Sequence, residues 1–359
     1  MTPVSRRPFA RLRAGVAALA VAAGIAAPAS AQAQDLAAGS RDLWPAYKAR
    51  FVEPGGRVVD NANGSISHSE GQGYGMLLAY FAGDEASFRQ IWRFTDRQLY
   101  VRSDGLAAWR WEPNAVPPIT DMNNATDGDI LIAYALALAG EAWGDAALTA
   151  AATEIAEAIG RETIADNGTF TYILPGVLGF KASDRADGPV VNISYWVFEA
   201  LPVLSRLAPA YPWEAVTSSG IALLNQSRTG PAELPPEWSS LANGRPQPAS
   251  GFDRVFGYNA IRIPLYLMRS DLATPRLLEP FLRNRTADGA SAVVLLETGA
   301  PLEPLSDPGY RMVLAAADCA VNGAPIPDAL LRFEPDLYYS ATLYLLSWFY
   351  LAERHPACL

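Results

Sequence analysis

The sequence predicts an all-α fold in which inner helices form a barrel that is enclosed by outer helices. Three observations favour this architecture. Apolar residues recur at helical spacing along most of the chain, strand-like alternation is scarce, and helices that are apolar on every side alternate with amphipathic ones. A helix that is apolar all round must be buried, whereas an amphipathic partner can cover it and face water. About five or six such pairs would close into an α/α barrel.

The helix pairs follow one another along the chain. The segment 127–143 is apolar nearly all round, whereas 146–164 is amphipathic, with Ile155 and Ile159 opposite a row of charged residues. Residues 169–174 are the clearest stretch with strand-like alternation. The predicted helices cover residues 35–51, the segment from 70 to 81, 85–99, 127–143, 146–164, 191–207, 213–225, 258–268, 274–283 and 337–351.

The first 33 residues predict an export signal. Arginines precede an apolar run at 14–27, and small residues around Ala31 and Ala33 offer cleavage sites. The run is shorter than the roughly 20 apolar residues that a membrane-spanning helix needs. An arginine pair near the start also resembles a twin-arginine signal, with general secretion as the alternative. We therefore expect residues 34–359 to form a single domain without a membrane span, in a periplasmic or secreted protein.

Charge and cysteine content narrow the classes of partner. The chain has 28 basic and 37 acidic residues and a formal charge of −9, which becomes −13 without the four arginines of the signal. Nucleic acid is therefore excluded as an expected partner. The two cysteines, Cys319 and Cys358, either pair in an exported protein or remain thiols. With only two histidines in addition, the sequence predicts no metal site.

Polar and aromatic residues gather where the presumed inner helices begin, and in a barrel these starts share one rim. Carboxylates beside aromatic rings are typical of polysaccharide sites, because rings stack on sugar faces while acids and amides bind hydroxyl groups. The cluster comprises Glu70, Asp121, Asp127, Asp129, Asn192, Ser194, Tyr195, Trp196, Asp253, Tyr258, Asn259, Arg262, Asp336, Tyr338 and Tyr339. Two tryptophans, Trp109 and Trp111, lie between helices in the same half of the chain.

Structural roles would also explain several of these residues. Ser67 and Glu70 match a capping box at a helix start, and Asp127 lies in a first turn, where the helix dipole favours acids. Core packing would account for the two tryptophans, an ion pair for Arg262, and a solvated loop for Asp253. The residues by themselves therefore leave a structural and a functional interpretation open.

Four motifs in order make the functional interpretation specific. They are Ser69-Glu70-Gly71-Gln72-Gly73-Tyr74-Gly75-Met76, Ala125-Thr126-Asp127-Gly128-Asp129 with its following helix, Asn192-x-Ser194-Tyr195-Trp196, and Tyr258-Asn259-Ala260-x-Arg262-x-Pro264. Together they resemble glycoside hydrolase family 8, from about Trp44 to the final helix. The resemblance implies an (α/α)6 barrel and inverting hydrolysis of β-1,4-linked glycans. The exported members of similar length are endoglucanases associated with cellulose synthesis, so a cellulose synthase complex is a further expected partner.

The resemblance also implies residue roles. Glu70 would donate a proton to the glycosidic oxygen, and Asp127 would be an essential carboxylate at the sugar being cleaved. No cofactor is expected, because two carboxylates and water suffice for inversion. The expected substrate-binding residues are Trp109, Trp111, Tyr195, Tyr258, Asn259, Arg262 and Tyr338.

One position departs from the best-matched branch of the family. Asn259 stands where that branch has an aspartate assigned as the general base, and an amide cannot accept a proton as a carboxylate does. We expect Asp253 to replace it, with Asp127 as the other candidate. An endo-β-1,4-glucanase acting on cellulose is the leading hypothesis. The alternatives are the same fold acting on xylan or chitosan, and a glycan-binding protein without hydrolytic activity.

Overall fold

A computed structural model describes residues 43–359, so the predicted signal at 1–33 lies outside the described residues. These residues form an all-helical fold with short strands in its connections, which confirms the predicted class. The helices are α1 (43–51), α2 (Ser69–Phe81), α3 (Glu85–Leu99), α4 (Thr126–Trp143), α5 (Ala146–Thr163), α6 (Leu201–Leu207), α7 (Trp213–Ser227), α8 (Ile263–Arg269), α9 (Pro275–Arg283), α10 (Pro308–Asn322) and α11 (Tyr338–Arg354).

Consecutive helices pack as pairs, and one member of most pairs is deeply buried. Helix α4 contacts α2, α5 and α6, while α11 contacts α2, α8 and α10. Almost every residue from Thr126 to Gly140 is buried, whereas α5 buries only one face, as the apolar patterns predict. The starts of α2, α4 and α11 are brought to the same end of the molecule, where they border one cleft.

Two glycines allow α2 and α4 to approach closely at the ends that carry the candidate acids. A Cβ atom on Gly73 would lie 2.6 Å from Cβ of Leu131, and one on Gly128 would lie 2.1 Å from Oγ of Ser69. Neither distance is tolerated between real atoms, so the close crossing depends on the missing side chains. The crossing places Glu70 next to the first turn of α4.

Short antiparallel strands shape the connections between helices. They are β1 (Ser67–His68), β2 (Arg110–Trp111), β3 (Ile164–Asp166), β4 (Thr171–Ile173), β5 (Val190–Val191), β6 (Ser239–Ser240), β7 (Gln247–Pro248), β8 (Val255–Phe256), β9 (Ser291–Leu295) and β10 (Ala300–Leu305). Strand β1 pairs with β2, so that His68 lies opposite Arg110 beside the start of α2. Strands β8, β9 and β10 form a three-stranded sheet.

Several predicted helices differ in detail from the observed ones. The predicted helix 191–207 is interrupted, with a 3-10 turn at Ile193–Tyr195 before α6, and 258–268 likewise begins as a 3-10 turn at Ala260–Arg262. A proline lies in the first turn of both α6 and α8, where its missing N–H and fixed φ suit a helix start. Helix α10 and the β9–β10 hairpin were not predicted.

The C-terminal end is tied to α10 by a disulfide between Cys319 and Cys358, which decides between the two alternatives that the sequence leaves open. The backbone N–H of Ile326 also donates to the carbonyl of Cys358 at 2.8 Å. Within residues 43–359, no helix has both the length and the apolar character needed to cross a membrane.

Candidate active site

A cleft of about 640 Å³ lies where the helix starts meet. This volume is within the range of about 300–1,000 Å³ that is usual for ligand sites. The sequence assigns a catalytic role to three residues and a substrate-binding role to seven. Eight of these ten residues line the cleft, namely Glu70, Trp109, Asp127, Tyr195, Tyr258, Asn259, Arg262 and Tyr338. The structure therefore brings together residues that are up to 268 positions apart in the chain (Glu70 to Tyr338). Asp253 and Trp111 are not among the lining residues.

Arg262 joins the two candidate acids. Its side chain is only 2% exposed, and its Nη2 donates to Oδ2 of Asp127 at 2.6 Å, while Nη1 donates to Oε2 of Glu70. The third nitrogen, Nε, donates to the carbonyl of Ser194 at 3.3 Å, and the guanidinium lies over the ring of Tyr195. The planar fork of arginine thus holds two carboxylates from α2 and α4 in a fixed relation.

Glu70 is free for chemistry because another side chain caps its helix. His68 occupies the N-cap position of α2, and its Nδ1 accepts from the backbone N–H of Gly71 at 3.0 Å. Ser67, which the capping-box interpretation needs, instead donates to the carbonyl of Val58 at 2.6 Å. That interpretation is therefore wrong, and the Glu70 carboxylate is directed to Arg262.

Asp127 does not act as the N-terminal cap of α4. The N-cap position is Ala125, which makes no side-chain cap, and Oδ1 of Asp127 accepts from its neighbour Gly128 at 2.9 Å. The next acid, Asp129, has a structural role: its two oxygens accept from the backbone of Ala107 at 2.8 Å and from Asn124 at 2.9 Å. Asp127 is thus the carboxylate of this turn that faces the cleft.

The two acids share their titration. Burial raises the pKa of Asp127 to about 7, and the nearby charge of Glu70 adds to this effect against the attraction of Arg262. Burial by itself would raise the pKa of Glu70, but the charges of Arg262 and His68 and the hydrogen bonds to the carboxylate together outweigh it, so the pKa of Glu70 is lowered. Because the two carboxyl groups are hydrogen-bonded to each other, they titrate as a unit that keeps one proton up to about pH 7.

Aromatic rings form much of the remaining wall. Tyr258 is 45% exposed and its carbonyl accepts from the hydroxyl of Tyr339 at 2.9 Å, which fixes the backbone at that point. The indole N–H of Trp109 donates to Asp121 at 2.9 Å, leaving the ring at the cleft. Tyr338 is almost fully buried at the cleft floor. The rings of Trp109 and Tyr258 suit stacking on sugar faces.

Two nominated residues lie elsewhere. Asp253 is exposed in the connection between β7 and β8 and does not reach the cleft, so its position gives the expected role as base no support. Trp111 packs edge-on against Phe94, with the guanidinium of Arg57 over its ring at 5.1 Å. Trp111 therefore supports the β1–β2 pair through packing, and these contacts give its expected role in substrate binding no support. The alternating aromatic pattern could not separate the two tryptophans.

Other lining residues were not nominated from the sequence. Asp60 comes from the loop before β1 and His68 from β1 itself, while Asp307 and Tyr310 come from the start of the unpredicted α10. Glu237 lies behind the cleft wall and accepts two hydrogen bonds from Asn259. The polar, asparagine-rich loop before α2 is a sequence feature that could have indicated Asp60 as a site residue. No sequence feature indicated Glu237. Among the described residues, no cluster of three or more histidines, cysteines or acids is placed to hold a metal ion.

Comparisons with known proteins agree with this arrangement. The model of glycosyl hydrolases family 8 matches residues 11–290. A probable endoglucanase of Novacetimonas hansenii is 38% identical over 316 residues, covering 87% of this chain and 90% of the relative.

Solved structures are similar over most of the chain. Endo-β-1,4-glucanase CMCax from Acetobacter xylinum matches with a TM-score of 0.78 and 37% identity, covering 88% of this chain and 98% of that one. Endoglucanase Cel10 from Klebsiella pneumoniae, a family 8 glycosyl hydrolase, matches with a TM-score of 0.79 and 34% identity, covering 88% and 100%. The chain belongs to glycosyl hydrolases family 8.

Proposed function

We propose that the protein is an exported endo-β-1,4-glucanase that hydrolyses internal bonds of cellulose with inversion of anomeric configuration. The observation that carries this proposal is the joint binding of Glu70 and Asp127 by Arg262 in the wall of a cleft with aromatic lining. Glycoside hydrolysis needs a carboxylic acid that can donate a proton at working pH. Family membership and relatives described as endoglucanases support the same activity.

In this proposal Glu70 donates the proton to the glycosidic oxygen. The proton is available because the Glu70–Asp127 pair retains one up to about pH 7, and it can pass between the two hydrogen-bonded carboxyl groups. Asp127 contacts the sugar being cleaved, and Arg262 keeps both acids in place. Trp109 and Tyr258 offer rings on which the glucan chain stacks.

The geometry limits the choice of proton acceptor. An inverting enzyme holds its acid and base about 6.5–9.5 Å apart so that water fits between sugar and base. Asp127 and Glu70 bind the same guanidinium and are hydrogen-bonded to each other, which is too close for the separation that an acid and a base require. Asp253 lies outside the cleft. Neither position supports a role as base, so we place the group that accepts the proton of water near Asn259.

The proposal extends to architecture and location. We propose that the inner helices close as an (α/α)6 barrel, supported by contacts of α2 with α4, of α4 with α6, of α8 with α10, and of α11 with α10 and α2. Residues 34–359 would form one catalytic domain, exported to the periplasm or medium through the signal at 1–33. The proposed partner is a β-1,4-glucan chain, and association with a cellulose synthase complex is part of the same proposal.

The test is hydrolysis of carboxymethylcellulose and cello-oligosaccharides by the purified protein, with the anomer of the first product measured by NMR. We expect α-anomers from β-linked chains, and a loss of about 10³-fold or more in kcat for Glu70→Gln, because a general acid is removed. Xylan and chitosan serve as parallel substrates. Release of β-anomers would contradict inversion, and binding of all the glycans without any cleavage would favour the glycan-binding alternative.

A further inference from the structure

Asn259 is held by a carboxylate that lies outside the cleft lining. Its backbone N–H donates to Oε1 of Glu237 at 2.6 Å, and its side-chain Nδ2 donates to Oε2 of the same carboxylate at 3.1 Å. Glu237 is half-buried, and its own backbone N–H donates to the carbonyl of Val255 at 3.1 Å. The carboxylate of Glu237 therefore binds both the backbone and the side chain of Asn259.

The surroundings of Glu237 are built to keep this contact. A Cβ atom on residue 257 would lie 3.0 Å from Oε1, so Gly257 leaves the space that the carboxylate occupies. The next residue, Trp238, is stacked between Phe252 at 4.6 Å and Phe180 at 5.5 Å between ring centroids. This aromatic stack fixes the backbone from which Glu237 projects.

The contact determines which end of the amide faces the cleft. An ionised carboxylate only accepts hydrogen bonds, so it selects the NH₂ end of the Asn259 amide and turns Oδ1 the other way. Asn259 itself lines the cleft. The acceptor end of the amide is therefore the end left for a ligand of the cleft, as both oxygens of an aspartate would be.

We propose that Glu237 is the positioning residue for the nucleophilic water: it orients Asn259 so that Oδ1 binds the water, and it receives the water's proton through the amide. The inference rests on the proposed function. The water oxygen forms a bond to the anomeric carbon as the glycosidic bond breaks, and the leaving oxygen takes the proton of Glu70. The water proton passes to Oδ1 of Asn259 while an Nδ2 proton passes to Oε2 of Glu237.

Asn259 and Glu237 return to their starting forms after product leaves. Asn259 becomes an imidic acid and Glu237 a neutral carboxylic acid, so one proton has moved from water to Glu237 and no charge is lost. Solvent then removes the proton from Oδ1 while Glu237 returns its proton to the nitrogen.

The test compares Glu237→Gln, Asn259→Asp and the double variant Glu237→Gln/Asn259→Asp. Glutamine can bind the backbone N–H of Asn259 as before, but it can also donate and so no longer selects the NH₂ end of the amide. We expect Glu237→Gln to lose about 10²-fold or more in kcat, with KM changed by less than about 3-fold. In the double variant, an aspartate faces the cleft and glutamine donates to it, so we expect kcat to recover to within about 10-fold of wild type.

The pH profile separates positioning from simple support of the fold. In Glu237→Gln the acidic limb of kcat/KM is expected to move away from its wild-type position, because the carboxylate that accepts the water proton is gone, whereas a purely structural Glu237 would leave this limb unchanged. Glu297→Gln is the control, because Glu297 is 56% exposed, pairs with Arg254 and lies outside the cleft lining. It should keep wild-type kcat.

The activity of the wild type separates failure of the proposed function from failure of the inference. A wild-type protein that cleaves no glycan would overturn the proposed function and the inference with it. An active wild type whose Glu237→Gln variant keeps kcat within about 3-fold would overturn the inference alone, as would a folded double variant that is no more active than Glu237→Gln. If Glu237→Gln fails to fold, the double variant decides the question: a kcat within about 10-fold of wild type supports the inference, and a lower kcat in a folded double variant overturns it.

Discussion

Arg262 is the residue on which the relation between the two acids depends, because it contacts Glu70 through one nitrogen and Asp127 through another. A lysine carries the same charge on a single nitrogen and cannot reproduce both contacts with the same geometry. The motif around Arg262 was visible in the sequence, but the identity of its partners was not.

We predict that Arg262→Lys lowers kcat/KM by about 10²-fold or more, because one of two buried carboxylates loses its hydrogen bond. The free energy of unfolding should fall by about 1–3 kcal/mol for the same reason. Steady-state kinetics and urea denaturation measure the two effects. Arg283→Lys is the control, since Arg283 is 46% exposed and such ion pairs contribute about 0–1 kcal/mol. Equal kcat/KM values for both variants would contradict the proposal that the guanidinium of Arg262 must bind both carboxylates.

The shared proton of Glu70 and Asp127 leads to a prediction for pH dependence. The acid form is needed for catalysis, so kcat/KM should fall as pH rises through about 7, where the pair loses its proton. In Asp127→Asn only Glu70 remains beside Arg262, whose charge lowers the pKa of Glu70 against the effect of burial. The basic limb should therefore move to lower pH. Profiles of kcat/KM from about pH 4 to 9 test this, and an unmoved limb would contradict a shared proton.

At the scale of elements, the active site depends on how closely α2 and α4 cross. Glu70 lies at the start of α2 and Asp127 at the start of α4, so the spacing of the two helices sets the spacing of the two carboxylates. Gly128 lies at the contact, where an added Cβ would be 2.6 Å from the backbone nitrogen of Glu70. Backbone cannot move aside as a flexible side chain can.

We predict that Gly128→Ala separates the two helix starts and destabilises the protein by about 1–3 kcal/mol, the usual cost of overpacking. Activity should fall with it, because the Arg262 fork can no longer reach both acids. Thermal unfolding and kcat measure these effects. Gly55→Ala is the control, because a Cβ at Gly55 would meet nothing within 4 Å, and it should change neither the thermal unfolding nor kcat. A fully active Gly128→Ala variant would show that the crossing tolerates a wider spacing.

The residue patterns within each helix explain which helices could be predicted from the sequence. Helix α4 was predicted within one residue of its start because an uninterrupted apolar run can only be buried. Helix α10 begins with Pro308 and Gly309, which favour turns, and its tyrosine and aspartate at the cleft were missed with it. The helix predicted at 191–207 was broken where the chain turns into the cleft to present Tyr195.

At the scale of the whole molecule, the Cys319–Cys358 disulfide closes a loop of 39 residues that includes α11. Helix α11 contacts α2 and α8 and carries Tyr338 at the cleft floor. A bond that restrains the unfolded chain over a loop of this length stabilises the folded state by about 4 kcal/mol in the chain-entropy model.

We therefore predict that Cys319→Ala/Cys358→Ala loses about 2–4 kcal/mol of unfolding free energy while the folded variant keeps wild-type kcat, since neither cysteine lines the cleft. Denaturation of the wild type under reducing conditions should reproduce the loss. If reduced and oxidised wild type unfold at the same urea concentration, the bond contributes nothing to stability.

The sequence by itself determined the helical class, the alternation of buried and covering helices, and the four motifs that carry Glu70, Asp127, Tyr195 and Arg262. These features are local, because apolar periodicity and short motifs are properties of neighbouring residues. Only the tertiary structure decided that Trp111 and Asp253 lie outside the cleft, that His68 rather than Ser67 caps α2, and that Glu237 lies behind Asn259. Glu237 and Asn259 are separated by 22 residues, and no spacing rule predicts a contact that depends on how loops fold over helix ends.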